Sequence, residues 1–182
     1  MKERGRIPGR ILTVDEFNAL DRDAFTDAIG HVFEHSAWIA NETWARRPFR
    51  DVAHLHEELC ATLRNAPRER QLALIRAHPD LAGRLAQQRK LTTESAHEQA
   101  SAGLDRLSES ELVKFQVLND AHRSRFGFPF IVCARLNAQD AILAAMEARS
   151  GNTPGKEFRC ALGEIEKIAA LRLGDRLNSS DR

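Results

Sequence analysis

Ala77-His78-Pro79-Asp80-Leu81-Ala82-Gly83 is where one helical pattern stops and the chain turns. Ahead of it, Leu72, Leu74 and Ile75 are the apolar positions of a segment, Arg68 to Ala77, that reads as a helix. Proline at 79 disfavours the α region for His78, so the imidazole is expected at a helix end in extended backbone rather than on a helix flank. A ring with an unperturbed pKa of about 6.5 is then set for proton transfer near neutral pH. The same residues also fit a plain helix C-terminus closed by His-Pro, with Asp80 opening the next turn. What surrounds the stretch has to decide between the two.

Outward from this point, helical spacing dominates in both directions. Toward the N-terminus, Thr13-Val14-Asp15-Glu16 fits a capping box, and a second helix carries Ala24, Phe25, Ala28, Ile29, Val32 and Phe33 on one face. Asp51 caps a helix with Val52, Leu55, Leu59 and Leu63 facing a core, closed by Asn65-Ala66-Pro67. Toward the C-terminus, a short helix is expected from Leu81 to Arg89. Thr92 to Ser95 then forms an N-cap cluster for a helix through Glu98, Ala102 and Leu104. Ser108-Glu109-Ser110-Glu111 is a second capping box, opening a long helix that Gly127 stops. Asn137 to Arg149 and Thr153 to Leu173 supply two more, the last with Pro154 in its first turn.

Phe130 to Cys133 is the one strand-like run, and it has no partner. The expected fold is therefore an all-α, single-domain bundle of about eight helices without a sheet, with irregular connectors at 36–50, 78–80 and 126–136. Residues 1–12 are expected as a basic, solvated lead-in, 13–174 as the helical domain and 175–182 as a polar tail.

Composition narrows the function classes. Lys and Arg total 27 against 26 Asp and Glu in 182 residues, a net charge of +1 that gives no strong field for nucleic acid or an anionic membrane. No apolar run is long enough for a membrane span, and the N-terminus lacks the apolar core of a secretory signal. Cys60, Cys133 and Cys160 are scattered without a C-x-x-C pair, which fits buried thiols in a reducing cytoplasm. A small molecule or another protein surface is the expected partner.

Two histidine pairs, His31 with His35 and His54 with His56, lack the third ligand of a zinc signature, so no metal is expected. No glycine-rich phosphate loop is present. What remains for chemistry is His78 with a polar patch on the helix after it. Ser95, Glu98 and Gln99 stand at i, i+3 and i+4 and share one face. That patch also fits a cap followed by a solvated face. Arg172, between Leu171 and Leu173, is a third candidate, or a charge that compensates a helix C-terminus.

Four segments together resemble one family. They are His78-Pro79-Asp80-Leu81-Ala82-Gly83, Ser95-x-x-Glu98-Gln99 followed by Gly103-Leu104, Phe126-Gly127-Phe128-Pro129-Phe130-Ile131, and Leu171-Arg172-Leu173. In that order and spacing they look like the OHCU decarboxylases of urate degradation, where OHCU is 2-oxo-4-hydroxy-4-carboxy-5-ureidoimidazoline. Ser36-Ala37-Trp38 fits the same pattern, and the match runs from about residue 13 to 173. The resemblance implies an all-helical cytoplasmic homodimer that converts OHCU to (S)-allantoin and CO2 without metal or organic cofactor. It implies catalytic positions at His78, Glu98 and Arg172. It also implies a pocket lined by Pro79, by Ser95, Ala96, His97, Glu98 and Gln99, and by Phe130, Ile131, Val132, Cys133 and Ala134, although His97 itself reads as exposed.

Two other readings stay open at this level. His78-Pro79-Asp80 is also the loop tripeptide of J-domain cochaperones, but the chain has no tyrosine and Glu69 interrupts the basic segment ahead of it. The other is a relative that has lost catalysis, against which the presence of His78, Glu98 and Arg172 together argues; within the enzyme reading, a related ureido acid as substrate is compatible with the motifs.

Overall fold

The computed structural model describes residues 12–82 and 91–177. Nine α-helices lie among them: α1 Val14–Ala19, α2 Arg22–Ile29, α3 Trp38–Thr43, α4 Val52–Asn65, α5 Arg68–Ala77, α6 Thr93–Ser101, α7 Glu109–Phe126, α8 Gln139–Arg149 and α9 Pro154–Gly174. Short 3-10 turns occupy Trp44–Arg46 and Ala134–Leu136. The described residues hold no strand and no sheet; Leu12 and Leu177 make a single isolated bridge. The fold is all-α as expected. The helix expected from Leu81 to Arg89 falls, from residue 83 onward, outside the described residues.

The residues group into two compact units. The first gathers 12–32, 36–65 and 169–177, the second 33–35, 66–82 and 91–168. In the first unit Thr13 and Glu16 close the capping box on α1, and Asp51 accepts from the His54 amide at 2.7 Å to start α4. Leu55, Leu59 and Leu63 are buried along α4, and Phe25 sits 5.9 Å from both Phe17 and Phe49.

Two expectations for the stretch 24–50 fail. Val32 and Phe33 are buried, yet α2 ends at Ile29 and they lie in the turns beyond it. At Gly30 an added Cβ would fall 2.9 Å from the Ala37 Cβ, so the chain packs back on itself there too closely for a side chain. The stretch 36–50 is not an irregular connector either, because it holds α3 and a 3-10 turn. Its helix begins at Ala37 without a capping side chain, so the usual start signal is absent. Arg47, inside the connector expected at 36–50, fastens the stretch. Its guanidinium donates to Trp44, Asn18 and Leu20 carbonyls and lies 3.8 Å over the Trp44 ring.

In the second unit Ser108 and Glu111 form the capping box of α7, and Gly127 ends that helix in left-handed backbone at φ 77°. Leu81, Leu104, Phe115, Phe130, Ile142 and Met146 belong to its core. The apolar run after Gly127 stays extended without a strand partner, and side chains satisfy its backbone instead. His122 Nδ1 lies 3.1 Å from the Phe128 carbonyl, Arg149 donates to Ile131 at 2.8 Å, and the Cys133 amide donates to Glu164 at 2.8 Å.

Behind that run lies a buried charge cluster. Glu157 is fully buried, and its carboxylate accepts from His122 at 2.9 Å, from Asn152 at 2.7 Å and from Arg149 at both oxygens. Both His122 ring nitrogens therefore face acceptors, Phe128 O on one side and Glu157 on the other. Burial alone would raise the Glu157 carboxyl, but the hydrogen bonds from His122, Arg149 and Asn152 and the charge of Arg149 outweigh it and hold it down to about 2. A lowered folded value means that the ionised form stabilises the fold. This contribution is present above the ordinary value of 4.5 and is lost as the pH falls toward 2. Denaturant unfolding across that window is expected to show an acid limb that Glu157→Gln flattens, at a cost of about 3 kcal/mol near neutral pH because Arg149 loses its buried counter-charge.

Candidate active site

Pro79 does what the sequence reading expects of it: α5 ends at Ala77, and His78 caps it in extended backbone at φ −72°, ψ 140°. Two contacts then fix the residue. Its amide donates to Ile75 O at 3.3 Å, and Nδ1 lies 3.0 Å from Leu74 O. A carbonyl can only accept, so Nδ1 carries the hydrogen in this contact.

The turn after His78 is held from three directions. Ala82 adopts left-handed backbone at φ 49°, a conformation a side chain disfavours, and its amide donates to Gln99 Oε1 at 2.9 Å. Gln99 Nε2 reaches Asp80 O at 3.4 Å, Asn119 donates to Leu81 O at 2.8 Å, and Arg123 pairs with the Asp80 carboxylate at 2.7 Å. Gln99 thus spends both ends of its amide on the backbone of this turn.

Gln99 belongs to α6, whose first turn Thr92 caps by accepting from the Ser95 amide at 3.2 Å. Ser95, Glu98 and Gln99 are buried along one face of that helix, as their spacing implies. Ala96 and His97 are exposed on the other. The buried face opens on a cavity whose empty space, its solvent-open mouth included, is about 360 Å³. His78, Pro79 and Leu81 line one part of it and Ser95, Glu98 and Gln99 another; Phe130, Ile131, Val132, Ala134 and Ile168 supply the apolar remainder. All of these residues belong to the second unit.

Of the expected lining positions, Ala96, His97 and Cys133 are not among the cavity's residues. The first two sit on the outer half of α6, a consequence of helical period that treating 95–99 as one segment ignores. Cys133 is buried, its amide turned to Glu164. Burial pushes its thiol up, and the negative charges of Glu164 and Glu98 push it further, so it is no nucleophile. Arg172 is also buried; it lies in the first unit, where its guanidinium donates to His31 O at 3.5 Å. Among the described residues no group of three or more His, Cys, Asp or Glu side chains is arranged to hold a metal ion.

The model of the OHCU decarboxylase family matches residues 18–174. The chain belongs to the OHCU decarboxylase family. It is 46% identical over 168 residues to the 2-oxo-4-hydroxy-4-carboxy-5-ureidoimidazoline decarboxylase of Haloferax volcanii, covering 92% of this chain and 98% of that one. A crystal structure of (S)-allantoin synthase superposes with a TM-score of 0.74 at 29% identity over 93% of this chain, which spans 56% of the length of that one. A crystal structure of OHCU decarboxylase in the presence of (S)-allantoin shares the fold, with a TM-score of 0.64 at 24% identity over 79% of this chain and 92% of that one. With nearly the whole chain matched to OHCU decarboxylases, the cochaperone reading of His78-Pro79-Asp80 is not favoured.

Leu81 and Ile168, which line the cavity, and Glu34, which accepts from Ser95, went unread in the sequence. The two apolar residues carry ordinary core spacing, and nothing local marks which core positions border a cavity. Gln99→Ala leaves the buried Ala82 amide without its acceptor while that residue keeps its strained backbone. The variant is expected to lose about 1–3 kcal/mol in thermal or denaturant unfolding, with faster hydrogen exchange at Ala82.

Proposed function

We propose that this protein decarboxylates OHCU to (S)-allantoin, the step that closes urate-to-allantoin conversion, and that the cavity of the second unit is where it does so. The observation that carries the reading is one cavity that joins an imidazole tied through Nδ1, a glutamate on the facing helix and an apolar wall. Family membership and the coverage of named OHCU decarboxylases support the same reaction.

The chemistry needs little from the protein beyond position and protons. When the bond to the carboxylate breaks, its electron pair passes into the conjugated ring C=N, so the substrate supplies its own electron sink and no external one is required. What the reaction asks for is a carboxylate held out of the ring plane, little water, and a proton delivered to one face. His78, acting through Nε2 with Glu98 as its acid–base partner, is proposed for the proton. Phe130 to Val132 form the wall against which the ring lies. By the motif match alone, Arg172 is proposed as the third catalytic position, its guanidinium suited to two-point recognition of an anionic or ureido group.

We also propose that the protein is a cytoplasmic homodimer, as the family resemblance implies. No helix among the described residues is long and apolar enough to cross a membrane. Val113 and Val117, one turn apart on α7 and 58% and 61% exposed, are apolar surface that a second copy would cover.

With OHCU generated freshly as substrate, His78→Asn and Glu98→Gln are each expected to lower turnover by about 10² while circular dichroism shows the helices intact. Wild-type rates in both variants would contradict the assignment.

A further inference from the structure

Glu34 lies outside every motif, yet its carboxylate is buried and accepts two hydroxyls from the start of α6: Thr92 Oγ1 at 3.0 Å on Oε1 and Ser95 Oγ at 3.1 Å on Oε2. The chain brings it there by turning sharply, since the next residue, His35, has left-handed backbone at φ 47° and an exposed ring. Thr92 meanwhile accepts the Ser95 amide as the helix cap. Each polar atom of Ser95 that can donate is thereby accounted for within the protein: the amide hydrogen on Thr92 and the hydroxyl hydrogen on Glu34.

A serine hydroxyl has one hydrogen to give and two lone pairs with which to accept. Ser95 lines the cavity beside Glu98 and Gln99. With its hydrogen on the Glu34 side, what the oxygen offers anything else is lone-pair density. An imidazolinone or ureido ligand presents both carbonyl oxygens and N–H groups, and a hydroxyl whose hydrogen is committed discriminates between them: it accepts N–H and repels C=O.

We propose that Glu34 is a positioning residue that fixes the polarity of Ser95, so that Ser95 recognises a ring or ureido N–H of the substrate and sets the orientation in which the substrate binds. This rests on the cavity being the OHCU site. Glu34 touches no substrate in this account and acts through the Ser95 hydroxyl. Replacing its carboxylate by an amide of the same shape changes that, because one carbonyl oxygen cannot take both hydroxyls: with the oxygen kept on Thr92, the N–H faces Ser95, donates to its oxygen and sends the hydroxyl hydrogen toward the cavity.

The test is a double-substitution cycle read as KM and kcat separately, using freshly generated OHCU. Glu34→Gln and Ser95→Ala are each expected to raise KM about tenfold, the scale of one lost or reversed hydrogen bond. Their kcat is expected to change by much less, and the double variant to be no worse than the more affected single one. KM effects that multiply to about a hundredfold in the double variant would show that Glu34 does not act through Ser95, and an unmoved KM in Glu34→Gln overturns the proposal outright. If Glu34→Gln fails to fold by circular dichroism, Glu34→Asp, whose shorter carboxylate draws back from Ser95, closes the same cycle with the same two outcomes. A wild-type protein inactive on OHCU would instead sink the decarboxylase reading itself.

Discussion

The contact on which the cavity depends is the hydrogen bond from the Ala82 amide to Gln99. Left-handed backbone at a residue with a side chain costs about 1–2 kcal/mol, and such a conformation persists only where its surroundings over-determine it. Here Gln99 takes the amide, Asn119 takes the neighbouring carbonyl and Arg123 takes the Asp80 carboxylate. Because Gln99 shares a helix face with Ser95 and Glu98, bracing the turn and bringing an acid into the cavity that His78 lines are one act of packing. The proline sets the direction in which the imidazole leaves α5, and the glutamine fixes where the following turn ends.

The opposite wall is held by different means. Phe128 to Cys133 has the composition of a strand, but its carbonyls go to His122 and Arg149 and its last amide to Glu164. Glu157 binds His122 and Arg149 together from behind, so a buried ion cluster performs the task that a neighbouring strand would perform in a sheet. An extended segment held this way can expose its apolar side chains to a ligand while none of its polar backbone need be spent on a ladder.

Much of this was legible in the sequence because the signals are local. Thr13 with Glu16 and Ser108 with Glu111 announce helix starts within four residues, and Gly127 and Pro79 announce stops. Spacing put 95, 98 and 99 on one face of α6, but whether that face is buried or solvated was not legible from it. What escaped has no local signature. Ala37, the N-cap of α3, carries no capping side chain, and nothing near Arg47 in sequence shows the carbonyls it gathers from Asn18 and Leu20. Glu34 sits between Phe33 and His35 like any helix-end acid, and only the distant contacts with Thr92 and Ser95 distinguish it. Placing His97 and Ala96 in the pocket came from reading a motif as a block where the helix presents only half of it inward.

The most direct test of this account is stereochemical. OHCU made in place from urate by an oxidase and a hydrolase decays slowly to racemic allantoin, and circular dichroism follows the handedness of the product as it forms. The account predicts that adding this protein brings a rapid dichroic signal of (S)-allantoin alone, because one face of the substrate meets His78 and the other meets the wall at Phe130 to Val132. Decay at the unassisted rate, or faster decay to a racemate, would contradict it.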